Sequence, residues 1–312
     1  MTLSRIRPSV VALAVLVTLS FATADAFAWG TASYSVSKAK MDRALGCKGG
    51  KDKLDGKEKL NPVLLVHGTG ITREESWQWN YWKALPAAGW EVCWVQLPKT
   101  AIEDLQISAE YVARAVQVMH RRTEERVDVI GHSQGGLVPR WSIKWFPSGR
   151  FVGDYIGLAA PNHGTESAEF GTIQGMAPPA FWQMRRDAKF VAAVNDGDET
   201  PGHIAYTSIY TATDELVQPV GTQDLDGAVN VLLQDLCPER NVEHGAILGD
   251  GLTYNLVVDA LQHRGPAEVA RIGENPCAAT TVPGATAPPP EGPDYSQGEL
   301  VDHEPPLRPY AR

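Results

Sequence analysis

Phosphate-loop and zinc signatures are missing from this 312-residue chain: it holds no G-x-x-x-x-G-K-[ST] run, no C-x-x-C pair and no H-E-x-x-H. Nucleotide and zinc chemistry are therefore poor expectations, and no fixed-period repeat suggests a solenoid. Basic residues are scarce, 28 Lys plus Arg against 37 Asp plus Glu, for a net charge of −9. That balance argues against sequence-independent binding to phosphate backbones, so no nucleic-acid partner is expected. With 21% charged and 8% aromatic residues the composition fits neither a disordered chain nor a collagen or coiled coil. The apolar fraction is 43%, enough for a large core.

Long apolar runs are scarce too. The one present, Val10 to Ala22, follows Arg5 and Arg7 and precedes Ala24-Asp25-Ala26 and Ala26-Phe27-Ala28. This is the basic, apolar, small-x-small order of a secretory signal peptide, here residues 1–28. As a helix the run would reach only about 20 Å, short of the roughly 30 Å hydrocarbon core. A secreted, extracellular protein is expected after cleavage. Four cysteines remain, Cys47, Cys93, Cys237 and Cys277, an even number suited to disulfides in an oxidising compartment, with three pairings open.

Downstream, residues 29–60 read as a polar, irregular lead-in. Apolar runs at 62–66, 91–97, 126–130, 155–160, 204–211 and 230–236 read as strands. Segments 76–85, 108–121, 137–145 and 252–261 read as helices. Strands alternating with helices predict an α/β fold, a mostly parallel doubly wound sheet with helices on both faces. Residues 29–277 read as one catalytic domain. Eight of the 22 prolines fall in the tail 278–312, expected to be extended and solvent-facing.

The chemistry concentrates at Gly131-His132-Ser133-Gln134-Gly135, a G-x-S-x-G pentapeptide between a strand and a helix. Small flanking residues permit the tight turn that would lift the Ser133 hydroxyl above the sheet. A serine needs a base, and the base an orienting carboxylate, in the chain order Ser, Asp/Glu, His. His244, followed by Gly245, is the favoured base over His263 and His303. Asp214 follows the 204–211 strand, with Asp224 and Asp226 as rivals. The backbone N–H of Gln134, and Thr69 in His67-Gly68-Thr69-Gly70 through its N–H and hydroxyl, are the expected oxyanion donors. His67 and His132 read as structural neighbours, and Trp77, Trp79 and Trp82 as core or a substrate wall.

The motifs LLVHGTG (64–70), GHSQGGLVPRW (131–141), YTATDELVQP (210–219) and NVEHGAI (241–247) resemble the Candida antarctica lipase B family of α/β-hydrolases, over roughly residues 41–263, with an echo in EPPLRPYAR (304–312). The resemblance implies Ser133 as nucleophile, Asp214 as acid, His244 as base, Thr69 with Gln134 as oxyanion hole, and disulfides Cys47–Cys93 and Cys237–Cys277. Where the family carries a tryptophan before the nucleophile this chain has His132; Ile71 replaces a threonine, Asn162 replaces an aspartate, and a third disulfide is missing. Alcohol and stereochemical preferences are therefore not carried over.

Together these readings predict a secreted serine carboxylester hydrolase, a lipase or esterase. Its partner is an ester or lipid substrate, with a lipid–water interface as one place of action. No cofactor and no metal are expected, and a monomer is. Ile71, His132, Asn162 and Trp182 are expected around the substrate pocket, with 166–190 as its rim or lid. A polyester-degrading hydrolase, an acyltransferase and a hydrolase-fold binding protein are the alternatives.

Overall fold

A computed structural model of the protein describes residues 28–48, 60–289 and 292–312. The expected signal peptide lies outside the described residues apart from Ala28. Seven strands, β1 (Leu45–Cys47), β2 (Val63–Val66), β3 (Val92–Val95), β4 (Val127–His132), β5 (Val152–Leu158), β6 (Ala205–Tyr210) and β7 (Val229–Leu232), form one sheet in the order β1-β3-β2-β4-β5-β6-β7. Only the β1–β3 pairing is antiparallel.

Helices α1 (Lys38–Ala44), α2 (Arg73–Trp77), α3 (Tyr81–Ala87), α4 (Leu105–Thr123), α5 (Gln134–Trp145), α6 (Glu166–Thr172), α7 (Pro179–Gln183), α8 (Lys189–Asn195), α9 (Leu233–Leu236) and α10 (Gly251–Gln262) fill the connections. Every residue of β2 and β3 is buried. A parallel strand covered on both faces needs such an unbroken apolar run. Alternation divides it between two cores: Leu64 and Val66 pack with Met41, Met119 and Trp141, while Val63 and Leu65 pack with Trp77, Tyr81 and Leu252. The α/β reading, a mostly parallel sheet with helices on both faces, is thus borne out.

Several local readings need correction. Residues 29–60 are not wholly irregular: α1 and the edge strand β1 lie there, and β1 is bonded to β3 through Cys47–Cys93. Three residues are too few to show a period, so cross-strand pairing creates this strand. Buried Glu110 holds the same lead-in, accepting the N–H groups of Ser35 and Val36, each at 2.7 Å. The expected 76–85 helix is two short helices. Thr72 and Glu75 form a capping box on α2, and the Asn80 side chain caps α3. The last strand stops at Leu232, and Leu233–Leu236 turns helically toward Cys237, which bonds Cys277.

The tail is not simply solvent-facing. Val282 is buried, Val301 pairs with Ala177, and Glu304 accepts the N–H groups of Lys189 and Phe190. Beyond β3 the chain returns across β2 to lay down β4. This reversal leaves a crevice at the C-terminal ends of β2 and β4, the place where open α/β sheets gather their functional loops.

Candidate active site

Ser133 sits at that crevice, between β4 and α5, with φ 56° and ψ −132°. A non-glycine residue in such a sparsely populated region carries strain on the order of 1–3 kcal/mol. The surrounding glycines allow it. A Cβ on Gly131 would fall 1.9 Å from the Gly135 carbonyl oxygen, and one on Gly135 would fall 2.4 Å from those of Val66 and His67. The turn is fixed by the Ser133 N–H on the Leu158 carbonyl at 2.8 Å. Gln134 opens α5, so its N–H is among the donors a helix leaves without an internal acceptor.

The loop after β2 runs beside the elbow. His67 is fully buried and neutral: its Nε2 accepts the Leu97 N–H at 2.9 Å, which leaves Nδ1–H for the Gly68 carbonyl at 2.9 Å. Burial holds its pKa down at about 4. The ring therefore braces the loop that presents Thr69. Thr69 Oγ1 donates to Gln134 Oε1 at 2.6 Å, and Gln134 Nε2 donates to the Ala101 carbonyl at 2.7 Å.

Asp214 follows β6 and His244 lies in the loop beyond α9. His244 Nδ1 and Asp214 Oδ2 are 2.8 Å apart, and the N–H groups of Leu216 and Val217 reach Asp214 Oδ1 at 2.9 and 2.8 Å. Burial alone would raise this carboxyl. The bond to His244, its charge and the two amides outweigh burial and hold Asp214 below the ordinary carboxylate range. The two loops are tied together by Thr213 Oγ1, which donates to the Val242 carbonyl at 2.8 Å and accepts the Val242 N–H at 3.0 Å. His132 adds a third tie. Its Nε2 lies 3.0 Å from the His244 carbonyl, an acceptor, so Nε2 carries the proton. Burial first, then nearby His244, lowers the His132 pKa to about 3.

Ser133 and His244 open onto one cavity of about 530 Å³. Thr69, Ile71 and His132 also line it, while Asp214 and the Gln134 side chain are buried behind. Two expected pocket residues are elsewhere. Asn162 is fully buried, donating to the Gln223 carbonyl at 2.7 Å and lying beside Arg140. Trp182 turns to the tail, its Nε1–H on the Val301 carbonyl at 3.0 Å. The 166–190 segment contributes Ser167, Ala168, Phe181 and Met184 instead. Trp79 lines the cavity, whereas Trp77 is core and Trp82 lies against Trp94. Asp224 accepts the Tyr210 hydroxyl, His263 meets Asp259, and His303 meets Asp302; none of these lines the cavity. Sequence reasoning missed Pro288, Pro289, Pro293 and Tyr295, which border it. Among the described residues no group of three or more His, Cys, Asp or Glu is placed to hold a metal ion, and no helix is long and apolar enough to cross a membrane.

A strand-to-helix serine elbow beside a buried Asp–His pair, on a mostly parallel sheet, defines an α/β-hydrolase. A family model described as palmitoyl protein thioesterase matches residues 62–218, half of the chain. Lipase B of Pseudozyma antarctica is 29% identical over 306 residues, 90% of this chain and 86% of that protein. The crystal structure of Aspergillus fumigatus lipase B superposes with a TM-score of 0.78 at 27% identity, covering 91% of this chain and 73% of that one. The chain belongs to the palmitoyl protein thioesterase family, which its motifs had not indicated, and is a lipase B-like carboxylic ester hydrolase, as they had.

Proposed function

We propose that the protein is a secreted serine lipase or esterase working through an acyl-enzyme on Ser133. The observation that carries this reading is the 2.8 Å Asp214–His244 contact opening onto the cavity that Ser133 also lines. With Nδ1–H held by Asp214, Nε2 of His244 is left unprotonated and able to take the Ser133 proton. The serine oxygen attacks the ester carbonyl, and donors from Thr69 and the Gln134 N–H stabilise the oxyanion. His244 then protonates the departing alcohol, and water, deprotonated by the same imidazole, releases the acid. Two disulfides fit the oxidising compartment that a signal peptide would lead to.

The test is hydrolysis of p-nitrophenyl esters from acetate to palmitate, with and without emulsified triglyceride, beside Ser133→Ala. Activity lost in the variant supports the nucleophile, and the chain-length optimum separates esterase from lipase. No hydrolysis by folded wild type overturns the reading. The family match favours a second substrate class, the palmitoyl thioester. Cleavage of an S-palmitoyl peptide faster than the matching oxygen ester would select it.

A further inference from the structure

The proline-rich tail supplies part of the cavity's wall. Before the cavity, Val282 N–H donates to the Gly249 carbonyl and Thr286 N–H to the Trp79 carbonyl, each at 2.9 Å. Beyond it, Val301 and Ala177 exchange two backbone hydrogen bonds, at 2.9 and 3.0 Å. Between these anchors the Asp294 N–H reaches the Gly70 carbonyl at 2.7 Å, next to Thr69. Gly70 has φ 75°, and a Cβ there would lie 2.5 Å from Tyr295 Cε1 and 2.8 Å from Pro293 Cβ. The ring thus seats where only a glycine leaves room. The ring also meets Phe181 edge-on, at a centroid distance of 5.3 Å.

We propose that Tyr295 and Pro293, with Pro288 and Pro289, form an end wall that sets how long an apolar chain the cavity holds. Proline has no N–H to donate and a fixed φ, so this wall presents carbon from a stiff backbone. The backbone bonds on either side hold it in place, and the edge-to-face ring pair resists displacement of Tyr295. The wall makes the tail a specificity-determining element. That role rests on the ester-hydrolase reading for the substrate being selected, but the wall itself can be measured without catalysis.

Binding of n-alkanols from butanol to dodecanol, followed by calorimetry, reads the wall directly. Wild-type affinity should climb about fourfold per added methylene while each is buried, then level off where the chain meets Tyr295. Tyr295→Ala should move the break to longer alkanols, Tyr295→Trp to shorter ones, and Tyr295→Phe should keep it. A break unmoved in both Tyr295→Ala and Tyr295→Trp overturns the proposal, as does wild-type binding without a climb. The same titration in Ser133→Ala should keep the wild-type break. A protein inert on esters yet showing these shifts would overturn the hydrolase reading while sustaining the wall.

Discussion

The Thr69 hydroxyl donates its proton to Gln134 Oε1 across 2.6 Å, and Ala101 fixes the Gln134 carboxamide in the orientation that accepts it. A hydroxyl has one proton, so it serves an oxyanion only by leaving this amide. A charged oxygen is the stronger acceptor, roughly twice as strong as a neutral one. In the proposed mechanism the exchange is therefore favoured as charge develops, and an interaction gained only then raises kcat rather than lowering KM. Thr69→Val should reduce kcat about 100-fold with little change in KM. Steady-state kinetics on a short ester checks this; a raised KM at unchanged kcat would leave Thr69 only a loop-fixing role.

The strained backbone at Ser133 predicts a division between stability and activity. Its φ of 56° with ψ −132° is accessible to glycine and costly to any residue with a Cβ. Ser133→Gly and Ser133→Ala should both be inactive. The glycine variant should nevertheless unfold at the higher temperature, by roughly 1 kcal/mol of stability after its greater unfolded-chain entropy is deducted. Calorimetry of the pair isolates the strain, because both lack the hydroxyl. Equal melting temperatures would mean that the elbow is not strained.

Asp214 is expected to act through the His244 tautomer. An asparagine there can present its amide N–H to Nδ1, which moves the imidazole proton to Nε2 and removes the base facing the cavity. Asp214→Asn should lower kcat by roughly 10³–10⁴-fold with the far-ultraviolet circular dichroism unchanged. Asp224 accepts the Tyr210 hydroxyl away from the cavity, so Asp224→Asn should remain close to wild type. Comparable losses in both variants would remove the distinction.

What could be read in advance follows the range of the interactions. Gly131 to Gly135 was legible because a strand, a tight turn and a helix start are neighbours in sequence. Asp214 was legible as the end of a strand, but its preference over Asp224 needed the family resemblance, since only a contact with a residue 30 positions away separates them. The cavity walls were not legible. Asn162 sits in the right stretch of chain but turns under Arg140, and Trp182 turns to Val301 because the tail offers its indole an acceptor. Tyr295 reaches the site through Gly70 and Phe181, partners that no local periodicity announces.

At the other end of β4 from Ser133, buried Asp128 and partly buried Asp154 form a carboxyl pair. Asp128 Oδ1 accepts from Asn61 Nδ2 and from the Asp154 N–H, each at 3.0 Å. Burial, followed for Asp154 by the charge of Asp128, pushes Asp128 up to about 7 and Asp154 to about 9. Both folded values exceed the ordinary unfolded value near 4. The folded state therefore binds more protons than the unfolded chain across neutral pH. The resulting stabilisation is complete below the unfolded value and is lost as pH rises through the folded ones. The melting temperature of the wild type should fall as pH is raised from about 7 through about 9. Asp154→Asn removes one titrating group and should flatten that fall. Asp128 lies five positions before Ser133, roughly 16 Å along an extended strand, so the shape of the activity–pH profile should be retained. Scanning calorimetry at stepped pH, beside ester hydrolysis on the same samples, makes the comparison; an equally steep alkaline fall in Asp154→Asn would assign the loss to other groups.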